Sequence, residues 1–294
     1  MNDVRMNRIK PYLLIAPAMV GIALFTVYPV FRMIYLSFQN INLLDPRKNK
    51  FVGFQNYIKV FQRDAFWKAL GNTAVYSFFM IIVIMVCSLI LAVWIGQKQS
   101  KINSVTQVAV FTPHVIAMVS VSLIWVQMME PNYGILNAML SAVGLPKSEW
   151  TRSSDTSMLA IILVASWKSI GYYTLIFIAA IQSIPSSIYE AAVLDNAGKV
   201  KTFIKITLPM ISPQIYFVLI VLTIGTFKVF DSVKVMTAGG PNNSTNTLVY
   251  MIYNEVFVSS RVGYAAVVGV VLLVIVSVLT VFYFISLSKK VHYQ

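Results

Sequence analysis

Residues 190–209 read EAAVLDNAGKVKTFIKITLP, a stretch in which Glu190, Asp195, Lys199, Lys201 and Lys205 interrupt an otherwise oily chain. Of the 294 residues, 58% are hydrophobic and 11% charged, and the mean hydropathy is +0.75; a soluble domain carries about 25% charged residues. So polar a stretch does not lie in hydrocarbon, where each ionised side chain costs about 2.5 kcal/mol or more at the bilayer centre. The apolar segments on either side are therefore separate membrane spans joined by a polar connection, and the chain is an integral membrane protein.

Working outward, a span needs about 20 mostly apolar residues. Six stretches supply them: 12–37, 74–97, 104–128, 157–182, 208–230 and 262–287. The expectation is an all-α fold of six transmembrane helices in one domain, residues 1–294, with 183–207 as the polar connection. Long and short connections alternate. With the N-terminus inside, the short flanking segments hold Arg5, Arg8, Lys10, Lys98, Lys101, Lys199, Lys201, Lys205, Lys289 and Lys290 against Asp3, Glu190 and Asp195. The opposite side spreads its basic residues over longer connections and offsets them with more acids. Retention of Lys and Arg in cytoplasmic loops then places both termini and the 183–207 connection in the cytoplasm.

The first outer connection places Phe54, Tyr57, Ile58 and Phe61 at helical spacing, followed by Phe66, Trp67 and Leu70. That pattern fits an amphipathic helix at the membrane interface or one packed on neighbouring spans. Pro17, Pro29, Pro113, Gly171, Pro213, Gly225 and Gly269 punctuate the spans, as happens where neighbours or a water-lined cavity satisfy freed backbone groups. The opening RIKPYLLIAPA is too short in its oily run for a signal peptide, so the first helix is read as retained.

Several chemistries lack their residues. Cys87 is the single cysteine, which excludes a disulfide framework. His114 and His292 have no Cys, Asp or Glu at ligand spacing, so no catalytic or metal site is assigned. The +13 net charge is not gathered with aromatics on a soluble face, so nucleic acid is not an expected partner. Gly198-Lys199 is followed by Val200 and lacks the upstream Gly of a nucleotide-binding loop. Every Asp and Glu falls in a connection or at a span end, Asp231 coming nearest to an interior position; a cation-coupled carrier usually needs an intramembrane carboxylate.

Three basic residues lie within spans. Arg32 and Lys228 stand near outer ends, where they reach the interface. Lys168 is more central, in SWKSIGYY with Ser169, Tyr172 and Tyr173, and either lines a pathway or forms a structural ion pair. In the polar connection, Ser186 or Ser187 can cap a short helix, Glu190 suits its first turn, and Asn196 or Gly198 can end it. Nine or so residues are too few for a free helix, so it must be held against something. Ala191 and Ala192 keep a side thin, Tyr189, Val193 and Leu194 offer apolar contact, and the three lysines suit lipid phosphates or a partner's acids.

The spacing Glu190-Ala191-Ala192, Asp195, Ala197, Phe203, Ile206, Leu208-Pro209 and Pro213 resembles the EAA loop of permease subunits of ATP-binding-cassette importers. PYLLIAPAMVGIALFTVYPVFRMIYLSF, FVGFQNYIKVFQRDAFWKALGNT, IQSIP and GGPNNSTNTLVYMIYNEVF are similar to the carbohydrate-uptake branch, so the likeness covers nearly the whole chain. It implies the type I ABC importer permease fold in a bacterial plasma or inner membrane, and a chain that is not an enzyme. The coupling helix would present Tyr189, Glu190, Ala191, Ala192, Leu194, Asp195, Asn196, Ala197 and Gly198 to an ATPase subunit. The implied partners are a second homologous permease, two ATPase subunits binding ATP and Mg, a soluble extracytoplasmic binding protein, and membrane lipid; this chain carries no cofactor. Substrate-facing positions would be Lys168, Ser169, Tyr172, Gly225, Thr226 and Val229. Asn196 stands where the family has Gly; Asn is the next-best residue for a left-handed turn.

The competing readings are a six-span secondary carrier or channel and, further off, a lipid-modifying membrane enzyme. Reconstituted alone in liposomes, the chain is expected to give no gradient-driven solute uptake; uptake without an ATPase identifies a self-sufficient carrier.

Overall fold

The computed structural model describes residues 2–42, 45–96 and 100–287; Lys98, Lys289, Lys290 and His292 lie outside the described residues. In chain order the helices are α1 (Asn2–Ile22), α2 (Tyr28–Ser37), α3 (Gln55–Phe61), α4 (Asp64–Gly96), α5 (Lys101–Val115), α6 (Met118–Met128), α7 (Ile135–Ala142) and α8 (Ser157–Gln182). They continue as α9 (Ser186–Leu194), α10 (Lys199–Thr202), α11 (Leu208–Met210), α12 (Ser212–Phe227), α13 (Asp231–Met236), α14 (Leu248–Tyr253) and α15 (Val262–Leu287). A two-residue pairing joins β1 (Gln39–Asn40) to β2 (Lys50–Phe51) antiparallel.

Among the described residues, five segments are long and apolar enough to cross a membrane, Tyr12–Ser37, Asp64–Gly96, Ser157–Gln182, Ser212–Met236 and Val262–Ser286, and the bent pair Lys101–Val115 with Met118–Met128 makes a sixth if it is one span. Four correspond closely to expected spans or extend them. The second begins ten residues earlier than 74, so Phe66, Trp67 and Leu70 belong to α4 rather than to the outer connection, and Phe66 is buried. The expected span 104–128 is present as a broken pair and not as one straight helix: α5 and α6 meet at 96° across Ile116 and Ala117. Those two residues adopt extended ψ values of 139° and 137°, which ends the hydrogen-bonded ladder two residues after Pro113. The fifth span, expected at 208–230, reaches Met236 and is interrupted at Lys228–Phe230, so Asp231 lies inside a span rather than at its edge.

Two π-helical turns share a cause. Ala23–Val27 ends one residue short of Tyr28-Pro29, and Phe203–Thr207 one short of Leu208-Pro209. In each, the residue before proline donates its N–H five residues back, Tyr28 to Ala23 and Leu208 to Phe203. A proline ring collides with the carbonyl four residues before it in an ordinary helix; the wider turn makes room while keeping the segment helical.

The described residues form two compact units, one up to Arg63 with Met251–Leu273, the other Asp64–Tyr250 with the segment from Val274 onward. In the first, Asn56 Nδ2 donates to the carbonyls of Ser37 and Gln39, each at 2.9 Å, and the Tyr57 hydroxyl lies 2.7 Å from Ser37 Oγ. These bonds hold the inner side of α3 to the end of α2. The outer side exposes Phe54, Ile58 and Phe61, one amphipathic face suited to the interface. Glu255, 3% exposed, lies 2.6 Å from Arg63 Nη1 and 2.9 Å from Arg261 Nε; a buried carboxylate persists there because two guanidiniums replace its water.

In the second unit α4 and α8 pack along their lengths, with α5 and α12 against them. Gly171 makes the α5–α8 crossing close: a Cβ at that position would stand 1.9 Å from the Val110 carbonyl oxygen. Small residues at crossings let membrane helices approach backbone to backbone, which is the use of a glycine that the sequence left as a possible break. Gly171→Ala therefore should destabilise the detergent-purified protein by about 1–3 kcal/mol through overpacking, lowering its melting temperature. Gly225→Ala, at a site with nothing within 4 Å, should leave it unchanged.

Candidate functional site

The nonamer of the polar connection is α9. Its flanking residue is Pro185, with φ −57° and ψ 134°, and Ser186 is already helical with no side-chain cap, so neither Ser186 nor Ser187 acts as the cap expected of them. The C-terminal end is defined sharply. Asn196 adopts φ +55°, its N–H donates to Val193 O at 3.0 Å, and the Ala197 N–H donates to Ala192 O at 2.9 Å. This paired pattern closes a helix through a left-handed residue and satisfies its orphan carbonyls; Asn196 fills the role as expected. Gly198, at φ −63°, instead starts α10.

The helix has an inner and an outer side. Ala192 is buried at 6% exposure, and Tyr189 is half-buried with its hydroxyl 3.1 Å from Thr207 Oγ1. Ala192 thus packs within the chain instead of keeping an outer face thin. Glu190, Ala191, Val193, Leu194, Asp195 and Asn196 face outward, Leu194 at 87% exposure, with Ala197 half-buried and Gly198 exposed. Val193 and Leu194 thus form an exposed apolar pair beside the two acids Glu190 and Asp195, ahead of a fixed helix stop.

A cavity of about 280 Å³ lies in the second unit. Of the expected pathway residues, Ser169, Gly225, Thr226 and Val229 line it. Lys168 and Tyr172 do not: Lys168 Nζ donates to the His114 carbonyl at 2.8 Å, and the Tyr172 ring stacks on the His114 imidazole at 4.6 Å and 12°. Lys168 is thus set beside the cavity and not on its wall, and among the described residues it forms no ion pair. It satisfies a carbonyl in the last turn of α5, the negative end of that helix. The same wall holds Tyr76 and Met80 of α4, Met118 at the start of α6, Tyr173 of α8, and Lys228, Phe230, Asp231 and Ser232 at the α12–α13 break. Lys228 was read as reaching the interface; it stands at the cavity because α12 stops at Phe227. The usable signal for these positions was the crowding of Lys228 and Asp231 at one span end.

Among the described residues no group of His, Cys, Asp or Glu could hold a metal. The loop beyond α13 is pinned from α4: Asn72 Nδ2 donates to the carbonyls of Asn243 and Asn246 at 2.8 and 3.0 Å, and the Leu248 N–H donates to Thr73 Oγ1 at 2.9 Å.

With this geometry in hand, comparisons place the chain among known proteins. Residues 75–291 match the model of the binding-protein-dependent transport system inner membrane component. The chain is 35% identical over 276 residues to the probable ABC transporter permease protein YurN of Bacillus subtilis (strain 168), covering 92% of this chain and 94% of that one. It is 36% identical over 261 residues to the diacetylchitobiose uptake system permease protein NgcF of Streptomyces coelicolor, covering 85% and 74%. Among solved structures, a chain of a bacterial ABC transporter involved in the import of the acidic polysaccharide alginate superposes with a TM-score of 0.85 at 25% identity, covering 99% of each chain. A match over most of the chain, including α9 and every wall of the cavity, shows that the protein belongs to the family of binding-protein-dependent transport system inner membrane components.

Proposed function

We propose that this chain is the permease subunit of an ATP-driven importer that translocates a saccharide delivered by an extracytoplasmic binding protein. The observation that carries the reading is the family match across residues 75–291, which spans both an exposed, rigidly terminated nonamer and a hydroxyl-lined cavity. The saccharide assignment draws on relatives named for diacetylchitobiose and alginate and on the side chains of Tyr76, Tyr173, Ser169, Thr226 and Ser232 on the cavity wall. The chain does no chemistry of its own. ATP and Mg belong to two separate ATPase subunits, and a second homologous permease completes the membrane pathway, with both termini and α9 in the cytoplasm.

In this reading α9 is a lever. Val193 and Leu194 enter an apolar cleft of the ATPase, and Glu190 and Asp195 meet basic groups at its rim. Closure of the two ATPases moves α9 as a rigid body, because its far end is fixed by the Asn196 turn and its inner side by Ala192 and the Tyr189–Thr207 bond. Rigid-body transfer then exposes the cavity alternately to each side of the membrane.

Glu190→Lys tests the lever. Glu190 is exposed, so the variant should keep its melting temperature while losing co-purification of the ATPase and at least about tenfold of ATP-driven uptake, the loss expected when one charged contact becomes repulsive. Unchanged association and uptake would remove α9 from the coupling path.

A further inference from the structure

We propose that the cavity selects an uncharged sugar ring over an acidic one, with Lys228 and Asp231 as its specificity-determining pair. This rests on the saccharide-permease reading above. The first observation is a subtraction. Lys168, the most central cation of the spans, places its ammonium on the His114 carbonyl and is not on the wall, so the charged side chains that line the cavity are Lys228 and Asp231. Lys234, one turn beyond Asp231, lies over the Tyr250 ring at 5.9 Å.

The second observation is a balance. The wall carries Lys228 and Asp231, both exposed, three residues apart at the break where α12 gives way to α13. Their charges cancel. A uronate or phosphate entering this space gains at Lys228 and loses at Asp231, because a like charge within a few ångströms disfavours the ionised ligand. A neutral ring has no such conflict. Its hydroxyls donate to the Asp231 carboxylate, which accepts on two oxygens, and accept from the Lys228 ammonium, which has three donors. Both are charge-assisted bonds, about twice as strong as neutral ones. Tyr173 and Phe230 add rings against which the apolar face of a sugar can lie. The volume, about 280 Å³, falls just below the roughly 300–1,000 Å³ range of small-molecule pockets. That is room for about one ring, so a longer saccharide would be read one residue at a time.

The experiment is equilibrium dialysis on the complete transporter, without the binding protein, using matched pairs of labelled disaccharides: neutral, and with one ring oxidised to a uronate. For at least one pair the neutral member should bind about tenfold more tightly, the factor one charge-assisted bond commands. Asp231→Asn should collapse that ratio towards unity, Asp231→Glu should restore it, and Lys228→Gln should widen it. The opposite signs at two neighbouring positions are a response that general loss of structure does not give. Equal or tighter binding of the uronate by the unmodified protein overturns the proposal while leaving the saccharide reading intact, as does a ratio that Asp231→Asn leaves unchanged. Absence of binding by every saccharide tested overturns both.

Discussion

A backbone polar group inside a membrane has no water to fall back on, and each one left unpaired costs several kcal/mol. The most informative parts of this fold are the places where helices stop within the spans and something else takes over their hydrogen bonds. At the α5–α6 break the Lys168 ammonium takes the His114 carbonyl at 2.8 Å. At the α12–α13 break the Thr247 hydroxyl lies 3.4 Å from the Val229 carbonyl. Each of these bonds supplies a carbonyl with a donor that the interrupted helix no longer provides. The two breaks bring Met118 and Lys228–Ser232 to one cavity, where straight spans would have placed only continuous helix faces.

The lever and the cavity share their supports. α8 supplies Ser169 and Tyr173 to the cavity and ends at Gln182, four residues before α9 begins; beyond α9 the chain runs through α10 and α11 into α12, which supplies Leu222, Gly225 and Thr226. From Tyr173 to Ser186 the distance along the chain is roughly 20 Å at 1.5 Å per helical residue. In the proposed mechanism a push on α9 would enter two walls of the cavity through its two flanking segments. The Asn196 turn and the π turn before Pro209 lie on one flank, and both preserve backbone hydrogen bonding along it.

Local chemistry made much of this legible in the sequence. Span 157–182 matches α8 at both ends, and the nonamer ends where Asn196 allowed a left-handed turn. What could not be read depended on partners distant in sequence. Pro113 flagged trouble in the third span, yet the bend comes after it, where Lys168, more than fifty residues on, is available to take the carbonyl. Gly171 looked like a weak point and is a packing surface, because only the neighbouring Val110 carbonyl reveals why no side chain fits. Asp231 was placed at a span end because a hydropathy count stops at the charges, whereas the helix resumes beyond them. That shift removes the sequence-level argument that no carboxylate lies within a span, and the case against a cation-coupled carrier now rests on family membership.

The central claim is that α9 docks on a separate ATPase. A photo-crosslinking residue at position 194, where Leu194 is the most exposed large apolar side chain of the helix at 87%, reports its neighbour directly in intact cells. The expected product is a single adduct with a nucleotide-binding ATPase subunit, diminished when Glu190→Lys is combined with the label. Adducts with lipid alone, or with no ATPase among them, would contradict it.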